Sequence, residues 1–252
     1  MHPVLCDLDG VVWLAHEPIP GSVEAIARLR AAGHRVVFVT NNSSARVEAQ
    51  EAALAAIGVP ARGDVLTSAM AAAQLVEPGE RVLACAGDGV VQALTARGAV
   101  VVSEGPADAV VVGWHRNFDY AGLTRATTAV LGGARLIGTN DDATYPTPDG
   151  PIPGGGALLA AVATASGTSP TIAGKPHEPM AELVRSTVGY AAASVAVMVG
   201  DRPSTDGLFA LTLGCRYAHV RSGVTPGAPA EMEPAIDAAD LAGVAAVVLA
   251  GG

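Results

Sequence analysis

The chain has 252 residues, half of them hydrophobic and only 15% charged, with a formal net charge of −9. That length carries one large domain or two modest ones around a sizeable core, and no apolar run approaches the roughly eighteen residues of a membrane span. The acidic balance argues against a basic nucleic-acid surface and means that an anionic ligand needs a local positive site.

In chain order, the opening "MHPVLCDLDG" shows no basic leader or long apolar segment, so no export signal is expected. "PVLCDL" reads as a buried strand, "PGSVEAIARLRAAGH" as a helix ending near Gly33, and "RVVFVT" as the next strand. Helices through "ARVEAQEAALAAIG" and "SAMAAAQLV" follow, and "EPGE" joins Pro, Gly and charge in a linker-like stretch. A second set then begins: strand "RVLACA", helix "DGVVQALTARG", strand "DAVVVGW", helix "YAGLTRATTAVLGG", strand "RLIGTN". A loop with four prolines, "DDATYPTPDGPIPGGG", leads to the helix "ALLAAVATASG". The chain then returns to its first style with "TIAGKP", a helix, the strand "SVAVMVGD", a helix through "STDGLFALTLG", the strand "CRYAHV" and a final helix. Val-rich runs alternating with helical segments predict an α/β protein with a parallel sheet. We expect a core domain at residues 1–78 and 171–252, interrupted by an inserted domain at 79–170. The three cysteines, Cys6, Cys85 and Cys215, are widely spaced and fit small buried residues in a reducing compartment, so a cytoplasmic setting is expected.

Four polar clusters follow buried strands, where open α/β sheets bind ligands. In "CDLDG", the alternation of an extended chain aims Asp7 and Asp9 to one side. A strand-end turn favours Asp before Gly; the chemical alternative makes one Asp a nucleophile and the other an acid/base over a hard divalent cation. In "VTNNSS", Thr40, Asn41, Asn42, Ser43 and Ser44 are either an ordinary cap or, at the next helix's N-terminus, an anion site without net charge. In "VGDRPSTDG", Asp206 suits a helix's first turn, whereas Asp201 has no such reason to be there. Three acids at strand ends call for a cation, and Mg2+, which takes one or two carboxylates plus phosphate oxygen, fits.

The fourth cluster, "AGKP", holds the only lysine beside fourteen arginines. A compact ammonium contacts a phosphate and a carboxylate together in a way the planar guanidinium does not reproduce. A solvated loop lysine is the plainer reading. Two further motifs read as ordinary turns: "CAGDGVVQAL" has Gln92 where a dinucleotide fingerprint needs its third glycine, and "PIPGGGALLA" lacks the Gly-Lys-Ser/Thr of a phosphate loop. The histidines show no ligand spacing, and His177, close after the lysine, reads as part of a surface turn.

The ordered set "DLDG", "TNNSS", "GKP" and "GDRPSTD" resembles the four motifs of the haloacid dehalogenase (HAD) superfamily, and "TNNSS" with an α/β insert resembles its NagD-like class IIA phosphatases. The resemblance runs over essentially the whole chain and implies a Rossmann-like core with a C2a-type cap. It implies Asp7 as nucleophile and Asp9 as the acid that protonates the leaving alkoxide and then activates water. Thr40 with Asn41 and Asn42 would hold the phosphoryl oxygens and Lys175 would neutralise them. Asp7, Asp201 and the backbone carbonyl of Asp9 would bind Mg2+, with Asp206 orienting that shell. Asp142, Thr144 and Tyr145 in the cap would select the substrate, a small phosphorylated metabolite such as a sugar, polyol or nucleotide monophosphate, and the family allows a homodimer through the cap. Departures from the pattern are Val11 for Thr, His115 for an acid, and Pro203 and Gly207 for hydrophobic residues in the metal-binding loop. A phospho-acceptor regulatory module, a phosphomutase and a dehalogenase are the competing readings. The first needs neither Asp9 nor an insert, a mutase must return phosphate to a second hydroxyl, and a dehalogenase has no evident need for Asp9 and Asp201 together.

Overall fold

A computed structural model describes residues 1–145, 147, 150–225 and 232–251. The chain divides into two compact units: Met1–Thr40, Glu48–Leu66 and Lys175–Gly252 form the first, and Asn41–Val47 with Thr67–Gly174 form the second.

The first unit carries a six-stranded sheet in the order Ile236–Ala238, Arg216–Val220, Val197–Gly200, Val4–Cys6, Val36–Thr40, Val65–Thr67. The pairings from Ile236–Ala238 through to Val36–Thr40 are parallel. The three central strands are buried along their whole length, as expected where helices cover both faces and apolar runs need not alternate. Helix Leu241–Leu249 packs on helix Ser22–Ala31, and helix Glu178–Val188 on helix Leu208–Leu213. The chain leaves Val4–Cys6 to one side for Val36–Thr40 and later adds Val197–Gly200 on the other. That reversal is a topological switch point, the place in open α/β sheets where ligands bind outside the carboxyl ends of the strands.

The second unit carries a five-stranded parallel sheet in the order Thr171–Ile172, Arg135–Gly138, Ala109–Val112, Arg81–Cys85, Val100–Val102. Helices Tyr120–Leu131 and Gly155–Ser166 pack together over a core that includes Leu83, Val110, Val112, Leu136, Leu159 and Val162. Asp119 caps the first of these helices by accepting from the Gly122 N–H at 2.6 Å. Among the described residues no helix is long and apolar enough to cross a membrane.

The units change over at 40/41, 47/48, 66/67 and 174/175, whereas the sequence suggests 78/79 and 170/171. Helix Ser68–Ala73 packs on helix Asp88–Arg97 within the second unit. The linker-like Glu77–Glu80 stretch is a tied turn there, with the Glu80 N–H on the Glu77 carbonyl at 3.2 Å and the Glu80 carboxylate on Arg135 at 2.6 Å.

Both glycine motifs are backbone contacts. A Cβ on Gly89 would lie 2.2 Å from the Ala45 carbonyl and one on Gly87 2.6 Å from that of Ser44. Gln92, in the third-glycine position, accepts the Val47 N–H at 3.0 Å. The N-terminus of helix Asp88–Arg97 is therefore closed by protein. Gly154 and Gly156 are no loose turn either: they open helix Gly155–Ser166, and a Cβ on either would meet the carbonyl of Asp142 or Asp141 at 2.3 Å.

Candidate active site

The site lies in the first unit, at the ends of the central strands. Asp7 directly follows Val4–Cys6, and its N–H bonds the Val199 carbonyl of the neighbouring strand at 2.9 Å. The chain then turns tightly: the N–H groups of Val12 and Trp13 return to the Leu8 carbonyl, and Gly10 takes φ 88°, a conformation that suits glycine. This turn lets the buried Trp13 indole donate to Asp9 Oδ1 at 3.1 Å. Burial and then the Asp7 charge push Asp9 up to about 6, against the Trp13 hydrogen bond. Asp9 thus holds a proton more tightly than a free carboxyl.

Asp201 follows Val197–Gly200 and accepts the Val224 N–H on Oδ2 at 2.7 Å. Its Oδ1 is buried with no hydrogen-bond partner among the described residues. Burial and then Asp7 raise its pKa to about 6. A wide π-helical turn, Pro203–Gly207, comes next, with the N–H groups of Thr205, Asp206 and Gly207 gathered on the Arg202 carbonyl. The two residues that depart from the family pattern fit this turn. Pro203 stands at its start, where no intrahelical N–H is required, and a Cβ on Gly207 would approach the Met232 sulfur to 2.5 Å. Gly200 matters equally, since a Cβ there would lie 2.2 Å from the Asp206 side chain.

Lys175 opens the return of the chain to this unit and is 1% exposed. Its Nζ donates to Asp206 Oδ1 at 2.7 Å and pairs with Asp7 Oδ1 at 2.9 Å. Burial alone would lower the lysine pKa, but Asp206 and then Asp7 outweigh it and raise it, so the ammonium stays charged. Asp206 Oδ2 accepts the Arg202 N–H at 3.2 Å; burial raises this carboxyl against the pull of Lys175. One oxygen each from Asp7, Asp201 and Asp206 lie within 4.8 Å of one another. Four acids around one ammonium leave an excess of negative charge, which a divalent cation would offset. The bare, buried Asp201 Oδ1 is the donor a hard cation requires, so these residues fit Mg2+.

Thr40 ends strand Val36–Thr40 and is buried. Asn41 and Asn42 belong to the second unit. The Asn41 Nδ2 donates to Asp142 Oδ2 at 3.0 Å, and its carbonyl accepts from Ser68 Oγ and Asn140 Nδ2. Asn42 Oδ1 accepts the Ser44 N–H at 3.1 Å. The helix expected to begin over these residues starts only at Val47, with its first N–H already taken by Gln92. The N-terminus of this helix thus lies five residues beyond Asn42. Of the three residues expected to select the substrate, Asp142 is engaged with Asn41, Thr144 is exposed, and Tyr145 stacks on Trp114 with ring centroids 5.1 Å apart. Sequence reasoning did not find Trp13, Gly200 or Val224, whose contacts with the acids depend on packing; "VGD" and "DGVVW" were the only local signals.

Residues 4–100 match the model of the haloacid dehalogenase-like hydrolases, and residues 172–245 that of the HAD-hydrolase-like family. An acid sugar phosphatase of Staphylococcus saprophyticus is 35% identical over 225 residues, covering 88% of this chain and 86% of the relative. A p-nitrophenyl phosphatase from Archaeoglobus fulgidus superposes with TM-score 0.89 at 27% identity over 98% of both chains. A glycerol phosphate phosphatase from Mycobacterium tuberculosis, solved with magnesium, superposes with TM-score 0.86 at 33% identity, over 95% of this chain and 75% of the other.

Proposed function

This chain belongs to the haloacid dehalogenase-like hydrolases, in their NagD-like class IIA branch, and from that premise we propose that it is a Mg2+-dependent phosphatase of small phosphorylated metabolites. The observation that carries the reading is the buried Lys175 bonded to both Asp7 and Asp206 beside the unpartnered Asp201 oxygen. A charged lysine there lowers the repulsion that an incoming phosphate meets from Asp7.

In this reading an Asp7 carboxylate oxygen attacks phosphorus while the bond to the leaving oxygen breaks, and Asp9 gives that oxygen its proton. A water then gives a proton to Asp9 and attacks the aspartyl phosphate, releasing inorganic phosphate and restoring Asp7. The raised proton affinity of Asp9 suits both steps. Thr40, Asn41 and Asn42 are proposed to hold phosphoryl oxygens. Asp7, Asp201 and the Asp9 carbonyl would hold Mg2+, which when bound neutralises charge on the phosphoryl group. Asp206, its carboxylate occupied by Lys175 and the Arg202 N–H, acts as a positioning residue for the lysine.

The first unit is the catalytic body in this reading and the second the cap, whose Asp142, Thr144 and Tyr145 are assigned to leaving-group selection. The unpaired cysteines are consistent with a cytoplasmic setting. The test is phosphate release from a panel of phosphorylated sugars, polyols and nucleosides, with Mg2+ and with chelator. Asp7→Asn should lower turnover at least 10³-fold, on the order of other nucleophile losses, without changing the circular dichroism spectrum. Release from no substrate, or an aspartyl phosphate that persists without turnover, would overturn the reading.

A further inference from the structure

We propose that the turn Ser222–Gly223–Val224, together with Gly10, is a clasp that aims Asp201 at the cation, making Ser222 and Gly223 positioning residues for metal binding. The proposal rests on the reading of Asp201 as a metal ligand. Strand Arg216–Val220 pairs with Val197–Gly200 in parallel register, His219 beside Gly200. The chain leaving the first strand therefore runs past Asp201, which leaves the second. There the Val224 N–H fixes Asp201 Oδ2 at 2.7 Å and leaves Oδ1 as the coordinating atom.

The carboxylate is walled in by two residues without side chains. A Cβ on Gly223 would meet Asp201 Oδ2 at 2.0 Å, and one on Gly10 would meet the Asp201 Cγ at 2.7 Å and the Gly223 Cα at 3.0 Å. Ser222 Oγ closes the clasp by donating to the Gly10 carbonyl at 2.7 Å. One hydroxyl thus ties the turn that fixes Asp201 to the loop that carries Asp7 and Asp9. Mg2+ demands near-ideal octahedral geometry, so affinity depends on the relative placement of these two segments as well as on their charge.

The test is the Mg2+ dissociation constant of the substrate-free protein by titration calorimetry, with the metal-free melting temperature alongside. Ser222→Ala should weaken Mg2+ binding about 10–100-fold, as loss of groups that orient ligands does, and Ser222→Thr should restore it. Gly223→Ala should weaken it at least as much; if that variant does not fold, the Ser222 pair decides. Wild-type affinity in Ser222→Ala, even with a lowered metal-free melting temperature, makes the contact merely structural and overturns the clasp. Asp201→Asn separates the premises: if it binds Mg2+ like the wild type, or the wild type binds none, the metal reading itself fails and the clasp with it.

Discussion

At the scale of single residues, Lys175 concentrates the electrostatics of the site. Its ammonium is 1% exposed and divided between Asp206 at 2.7 Å and Asp7 at 2.9 Å. A guanidinium is larger, planar and donates through a fork, so it cannot occupy a closed site shaped around one nitrogen. Lys175→Arg should lower kcat by about 10²–10³, the cost of removing one donor to a developing oxyanion. Lys175→Met removes the charge altogether and leaves Asp7 and Asp206 facing each other without it. Breaking a buried pair in this way should destabilise the first unit by about 3–5 kcal/mol, read as a lower denaturation midpoint. Turnover near the wild-type value in Lys175→Arg would reduce the lysine to coincidence. The scarcity of lysine made this residue visible in the sequence, and its link to Asp7 was legible from the strand-end pattern. Its bond to Asp206 was not, because local spacing says nothing about a partner 31 residues away beyond two helices and a strand.

Among the elements, the alternation of strand and helix was readable because strands buried on both faces leave uninterrupted apolar runs. The two-residue strands Trp13–Leu14 with Glu17–Pro18 and Thr144–Tyr145 with Ile152–Pro153 were not, since two residues carry no periodicity. Helix Asp88–Arg97 shows how a motif can mislead while its glycines stay necessary. Its opening resembles a dinucleotide fingerprint, yet Gly87 and Gly89 admit the backbone of Ser44 and Ala45. Gly89→Ala would drive a methyl to 2.2 Å from the Ala45 carbonyl, and rigid backbone can yield little. A loss of about 1–3 kcal/mol, the usual cost of overpacking, should appear in the thermal unfolding of the second unit. An unchanged melting temperature in this variant would contradict the docking of this helix on residues 43–47.

On the scale of the whole molecule, the balance of charge at the strand ends makes stability depend on metal. Asp7, Asp9, Asp201 and Asp206 converge on a single ammonium, and burial raises Asp9 and Asp201 to about 6. Those raised values reflect repulsion and lost hydration stored in the folded state, which a divalent cation relieves and the unfolded chain does not experience. A ligand that binds only the folded form stabilises it by about 2.7 kcal/mol at a hundred times its dissociation constant. At about 2–4 °C per kcal/mol for domains of this size, Mg2+ should raise the melting temperature by roughly 5–10 °C over the chelated protein. The two compact units should melt in separate transitions, and the shift should fall on the one that Lys175→Met also lowers. Asp201→Asn should abolish the Mg2+ response while leaving the transition reduced in Gly89→Ala where it was. A shift of equal size in Asp201→Asn would mean that the cation acts elsewhere on this acidic chain.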